Sequence, residues 1–157
     1  MRWEQLLPTL QLEMLSKPSP SFLVIQLGGN NIVDIKLNKL IKTVRHDMKY
    51  ICTVFENVNV VWADILPRRK WRGASETEYV LKRLDIKRKR INRLGKQIVK
   101  AAPNGRAIVS DIDLFTSGLF LPDGTHLSAI ANDILLNTYQ EALLAFIQNP
   151  DLKIYEA

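Results

Sequence analysis

Apolar residues along the chain follow two patterns, a helical spacing and short continuous runs. Apolar positions recur every three or four residues in four stretches, which predicts helices at 3–15, 34–56, 76–101 and 127–148. Three short runs rich in branched apolar residues lie between them, at 22–27, 58–62 and 107–109. Such runs are typical of strands buried on both faces of a parallel sheet. The pattern therefore predicts the order α-β-α-β-α-β-α.

Strict alternation of helices and strands predicts one α/β domain over residues 1–157, with a parallel sheet and right-handed crossovers. Pro8 should either bend the first helix or mark a later start for it. His46 falls on the polar side of the second helix, where we expect a surface residue. Cys52 falls on the apolar stripe of the same helix and should be a small core residue.

Composition narrows the class of protein. A single cysteine excludes an internal disulfide framework and a cysteine-rich zinc site, and we predict no cofactor and no metal. No apolar run approaches the ~18 residues that span a bilayer. The N-terminal residues include Glu4 and Pro8 and do not fit a signal peptide. We therefore expect an intracellular protein, cytoplasmic or nuclear, with no membrane partner.

The positive charge is concentrated in one segment, the basic segment 68–100. The chain has a net charge of +6, yet this segment holds thirteen basic and three acidic residues. Trp71 interrupts its first basic run, and Lys87 to Arg90 form a second, which also fits a nuclear-localisation signal. One interpretation is a surface that binds nucleic acid or another anionic partner. The other is a solvated helix face with no partner.

Candidate chemistry lies in the loops that follow the strands, because ligands of α/β sheets bind beyond the carboxyl ends of the strands. The first strand leads into Gly28-Gly29-Asn30-Asn31, the second into Asp64, and residues 121–128 follow the third at a distance. We expect these segments to meet at one edge of the sheet.

Asp123 and His126 form the most specific local pattern. An aspartate three residues before a histidine can accept a hydrogen bond from one ring nitrogen, which leaves the other nitrogen free as a general base. The simpler interpretation of Asp123-Gly124-Thr125-His126 is a polar turn that ends in a helix-capping residue.

Asn30 is the candidate for stabilising negative charge. Two glycines allow a tight turn before it, so its side-chain amide could donate to an oxyanion. The simpler interpretation is an ordinary strand-to-helix turn.

Together, the Gly-Gly-Asn-Asn turn at 28–31 and the Asp-Gly-Thr-His run at 123–126 resemble the SGNH hydrolases, the superfamily of GDSL-type esterases and lipases. The resemblance extends to residues 62–68, Trp-Ala-Asp-Ile-Leu-Pro-Arg, and covers nearly all of residues 1–150. It is greatest to SGNH-type domains of vertebrate genomes and of some retroelement-encoded proteins. The family implies a flavodoxin-like three-layer sandwich and hydrolysis of carboxylic esters.

Carried over by position, Asn30 resembles the family's oxyanion asparagine, and Asp123 and His126 resemble the acid and base of its catalytic triad. Gly28, Gly29, Asn31 and Asp64 should line the site. The family has an aspartate after the oxyanion asparagine where this chain has Asn31.

The nucleophile of the family is absent from this sequence. No Gly-Asp-Ser occurs, and no serine of the chain stands in a tight strand-to-helix turn. In the family the serine follows the first strand, so this chain resembles a domain that keeps three strands and lacks the first two. Because triad members act as a unit, we expect little or no esterase activity.

The family's strand order, 2-1-3-4-5, has a consequence for residues 22–27. The missing first strand would lie beside them, so they should form an unpaired apolar edge. We expect this edge to accept a strand from a partner or to mediate self-association.

Overall fold

The computed structural model describes residues 1–157 and is built around one parallel sheet. Four strands lie in the order β1-β2-β3-β4, namely β1 Phe22–Ile25, β2 Asn59–Ala63, β3 Gly105–Val109 and β4 Ile154–Glu156. The helices are α1 Leu6–Ser16, α2 Leu37–Val54, α3 Glu78–Ala101 and α4 Ala129–Gln148. Short 3-10 helices cover Trp3–Gln5 and Gly29–Asn31. The predicted α/β fold with a parallel sheet is confirmed, and its architecture is flavodoxin-like.

The fourth strand was not predicted, so the expected count of three strands is too low. Residues 154–156 pair with β3, with Ala107 opposite Ile154 and Val109 opposite Glu156. Only three residues long and ending in a glutamate, β4 has no apolar run that marks a strand. The position of β4 is set by its pairing with β3, and a pattern within residues 154–156 carries no information about that pairing.

Of the two outcomes predicted for Pro8, the structure shows the later start: α1 begins at Leu6 and not at residue 3. Pro8 is the third residue of α1, where a backbone N–H has no intrahelical acceptor, so the missing donor breaks no helical bond. Residues 3–5 ahead of it form the tighter 3-10 turn, not the start of the α-helix.

Side chains alternate between the two faces of the sheet, as a strand requires. Val60 and Trp62 enter the larger core, which includes residues of α1, α2 and α3. Val61 points the other way, into a smaller core with Ile108 and α4. The sheet therefore separates α2 and α3 on one face from α4 on the other, which gives the three layers.

The smaller core leaves apolar surface open to solvent. The exposed apolar side chains of α4 include Ile130, Ile134, Leu136, Leu144 and Ile147. β1 stands at the edge of the sheet and pairs with β2 alone. No helix combines the length and the apolar character needed to cross a membrane.

Candidate functional site

The turn after β1 brings Asn30 to the carboxyl edge of the sheet. Gly28 has φ of 112°, in the left-handed region where a side chain is strained. The 3-10 turn Gly29–Asn31 follows directly, with a hydrogen bond from Asn31 N to Gly28 O of 2.9 Å. A glycine is therefore required at 28 for the chain to turn this sharply out of the sheet.

Asp123 holds His126 by a side-chain hydrogen bond. His126 Nδ1 lies 2.5 Å from Asp123 Oδ2. The second oxygen, Oδ1, accepts from the backbone N–H groups of Thr125 and His126 at 2.9 and 3.0 Å. Because Nδ1 is engaged, Nε2 is the ring nitrogen left to exchange a proton with a ligand.

The simpler interpretation of this turn is also true of the structure. Ser128 Oγ accepts from Ala131 N at 3.2 Å and caps α4. The turn is tied to the loop after β2, since Lys70 N donates to Gly124 O and Thr125 Oγ1 donates to Lys70 O, each at 2.9 Å. The polar turn therefore has two roles: it orients the histidine ring, and it begins α4.

The electrostatics of the pair keep the carboxylate ionised. The hydrogen bond from the His126 ring lowers the pKa of Asp123 well below its usual 3.8, and the two backbone N–H donors lower it further. Asp123 therefore remains an acceptor for the ring at any pH near neutrality.

His126 and Asn30 line the same cavity, whose volume is about 410 Å³. Arg68 lines that cavity as well, and its Nη2 lies 3.3 Å from Asn30 Oδ1. Asn30 Nδ2 donates to Met1 O at 3.2 Å, and an amide has a second N–H to offer. Two loops distant in sequence thus contribute a base and an amide donor to one space.

Of the four residues expected to line the site, only Gly29 does so. Gly28 packs beneath it, where an added Cβ would lie 3.1 Å from Ile65. Asn31 is buried, and its side chain accepts from Trp3 N and donates to Glu4, both at 2.9 Å. This amide fastens the N-terminal segment to the turn.

Asp64 is likewise a buried support outside the cavity. Its carboxylate accepts from Lys96 Nζ at 2.8 Å and from Trp62 Nε1 at 3.2 Å. The position directly after β2 is the one expected of a site residue, but the side chain is turned inward to α3.

Arg68 is a charged residue of the cavity that was not predicted from the sequence as a site residue. Burial lowers the pKa of its guanidinium, while the charge of Asp123 raises it. An arginine keeps its charge in proteins, so Arg68 brings a positive charge into the cavity. Its position just past the carboxyl end of β2 was the available signal, obscured by the run of basic residues around it.

No serine lines the cavities beside His126. Thr125 is the hydroxyl residue present, and its Oγ1 donates to Lys70 O. Ser110 follows β3, and its buried hydroxyl has no hydrogen-bond partner. No three His, Cys, Asp or Glu side chains are grouped to hold a metal ion.

The basic segment 68–100 is divided between surface and structure. Lys87 Nζ donates to the carbonyls of Ile32 and Ile35. Arg88 is buried, donating to Ile65 O at 2.8 Å and pairing with Asp85. The Lys87 to Arg90 run therefore exposes only its last two residues.

Comparison with known proteins adds no relative: neither the protein-family models nor the curated protein sequences contain a match to this chain.

Proposed function

We propose that this chain is an SGNH hydrolase-like domain whose ester-cleaving site has a base and an oxyanion donor but no nucleophile. One observation carries the proposal: His126, oriented by Asp123, shares a cavity with Asn30 at the carboxyl edge of a parallel sheet. This is the arrangement that acyl transfer needs, apart from the attacking hydroxyl.

Each residue has a defined role in the proposed chemistry. Asp123 accepts a hydrogen bond from Nδ1–H of His126, which leaves Nε2 of the neutral ring as the proton acceptor. Nε2 would take the proton of an attacking hydroxyl and return it to the leaving alcohol. Asn30 would donate to the oxyanion of the tetrahedral intermediate, a contribution of about 2.7–4 kcal/mol where such donors have been removed.

The missing hydroxyl explains why we propose an inactive site in this chain. Water held by a base and one donor reacts slowly, and in serine hydrolases loss of one triad member removes nearly the whole triad effect. No covalent acyl intermediate can form without the nucleophile.

An upstream strand that ends in Gly-Asp-Ser would complete this site in the family's plan. β1 is an edge strand with its outer side unpaired, which supports the addition of a parallel strand there. Such a strand would end beside the turn at Gly28 and Gly29, next to the cavity.

The test is an extended chain that carries an apolar strand and Gly-Asp-Ser ahead of Met1. We expect it to hydrolyse 4-nitrophenyl acetate, and we expect His126→Ala to abolish the gain. The same extension with alanine in place of serine is the matched control. A folded extended chain that hydrolyses no ester would contradict the proposal, as would a gain that His126→Ala leaves intact.

The edge of β1 also supports the expected strand addition or self-association through 22–27. Ser21 O accepts from Asn59 N, so the outward N–H groups of β1 belong to Phe22 and Val24. Val24→Pro removes one of these outward N–H groups and breaks no hydrogen bond to β2. Val24→Thr keeps the N–H and is the matched control. We expect sedimentation to show self-association of the natural chain and of Val24→Thr, and none of Val24→Pro. A monomeric natural chain would contradict self-association.

The alternative function, binding of nucleic acid by the basic segment 68–100, now rests on fewer side chains. Its test is salt-dependent binding to random duplex, compared between the natural chain and Lys89→Gln with Arg90→Gln. Replacement of Arg88 is unsuitable, because a buried guanidinium that pairs with Asp85 supports the fold. Absence of binding at low salt removes this alternative.

A further inference from the structure

Two cavities that share His126 differ in their chemistry, and we call them the polar part and the adjoining part of one site. The polar part, about 410 Å³, has charged and amide side chains on its walls: Arg2, Asn30, Asp34, Arg68, Arg72 and His126. The adjoining part, about 240 Å³, has an apolar wall that includes Ile65, Leu66 and Leu135. Arg68, Thr125 and His126 line both parts. A ligand that fills both parts therefore meets the base at the boundary between a polar and an apolar region.

Arg68 is a positive charge that forms no ion pair, and the carboxylate whose charge acts on it is that of Asp123. Arg68 is half-buried, and its guanidinium carbon lies 5.0 Å from the centre of the Trp71 ring. Its hydrogen bond to Asn30 uses one of five donors. The guanidinium packs closely on Gly29, and an added Cβ at that residue would lie 2.6 Å from Nη2 and displace it.

The acidic groups at the cavity already have partners. Asp34 pairs with Arg2, and Asp123 accepts the hydrogen bond of His126. Arg72 is exposed, lines the polar part and has no acidic partner among the ion pairs. Even with the carboxylate of Asp123 counted against them, the guanidinium groups of Arg68 and Arg72 leave a net positive charge to attract an anion. Arginine binds carboxylate and phosphate through paired N–H donors.

We propose that Arg68 and Arg72 form an anion subsite, so that the ligand of this site is a small ester with a carboxylate or phosphate group on one side of the ester bond. The anionic group lies in the polar part and the apolar group in the adjoining part, which places the ester carbonyl at His126 and Asn30. The assignment of the ligand as an ester rests on the proposed function, whereas the anion subsite itself rests on the arginines.

The test compares two esters that differ in charge. Monomethyl succinate carries a carboxylate and dimethyl succinate does not, and inorganic phosphate serves as the anion alone. Binding of each is measured by calorimetry with the natural chain, Arg68→Gln, Arg68→Lys and Arg93→Gln. Arg93 is an exposed arginine of α3 outside both parts of the site and is the matched control.

We expect monomethyl succinate to bind at least about tenfold more tightly than dimethyl succinate, the ratio typical of a hydrogen bond between charged groups. Arg68→Gln should remove this preference, while Arg68→Lys keeps part of it and Arg93→Gln keeps all of it. Equal binding of the two esters, or a preference that survives Arg68→Gln, would overturn the anion subsite. If Arg68→Gln does not fold, Arg72→Gln takes its place, and an unchanged preference in that variant overturns the subsite too.

The same measurements separate this inference from the proposed function. If phosphate binds and Arg68→Gln abolishes that binding, but neither ester binds, the anion subsite stands and the ester assignment fails. If both esters bind equally, with a loss in His126→Ala and none in Arg68→Gln, the ester assignment stands and the anion subsite fails.

Discussion

The protein contains two histidine–aspartate pairs, and they differ in what surrounds them. His46 Nδ1 lies 2.9 Å from Asp47 Oδ1 on α2, and His126 Nδ1 lies 2.5 Å from Asp123 Oδ2 before α4. The two histidine side chains are similarly exposed, at 77% and 73%. A hydrogen bond between imidazole and carboxylate therefore does not by itself define a catalytic site.

The carboxylates and the neighbours make the difference. Asp47 is buried and accepts from the indole Nε1 of Trp3 at 2.8 Å, so it serves the core. Asp123 is exposed and accepts only from its own turn and from His126. Asn30 lines the same cavity as His126, whereas His46 does not line it. The environment gives the His46–Asp47 pair a structural role and supports the chemical role that we propose for the Asp123–His126 pair.

The largest expected effect is on stability at the structural pair. Asp47→Ala leaves the Trp3 indole N–H buried without an acceptor, which should cost about 1–3 kcal/mol of unfolding free energy. Asp123→Ala should cost less, because its partners can turn to water. Urea denaturation of the two variants checks this, and a larger loss in Asp123→Ala would reverse the comparison.

A smaller effect is expected in acid. The lowered pKa of Asp123 means that the ionised carboxylate stabilises the folded state, so its contribution is present above the usual pKa of 3.8. That contribution should disappear as the pH falls below about 4. The difference in unfolding free energy between the natural chain and Asp123→Asn should therefore shrink between about pH 5 and pH 2. A constant difference over that range would show that the ionised carboxylate is not what stabilises the turn.

The smallest effect is local and leaves the fold unchanged. Because Asp123 accepts from Nδ1, the neutral His126 ring should carry its proton on Nδ1, and Asp123→Asn should shift it toward Nε2. Nitrogen-15 spectra of the imidazole rings report the tautomer, and the signals of His46 provide an internal control. If the His126 ring of the natural chain already carries its proton on Nε2, Asp123 does not orient a base, and the proposed role of the pair is contradicted.

The sequence predicted those parts of the fold and site that local patterns specify. The four helices and three of the strands follow from apolar spacing, and the pairing of Asp123 with His126 follows from a turn of four residues. β4 was missed because its place depends on β3. His46 and Cys52 were expected as surface and core residues, and both predictions are confirmed.

Residues after the strands were harder to assign, because the position of a residue in the sequence does not show which way its side chain points. Asp64 and Asn31 follow strands as site residues do, yet Lys96 and Trp3 bind them inside the fold. Arg68 sits among basic residues in the sequence, and only folding separates it from Arg69, which donates to the Leu114 carbonyl.

The central claim, an oriented base without a nucleophile, is tested most directly by hydrolysis of 4-nitrophenyl acetate with the chain as it stands. The natural chain, His126→Ala and His46→Ala are compared at equal concentration, with free histidine as the reference. We predict that the natural chain is no faster than its two histidines free in solution, and that the two variants lose equal shares. A faster rate that His126→Ala removes and His46→Ala retains would contradict the account.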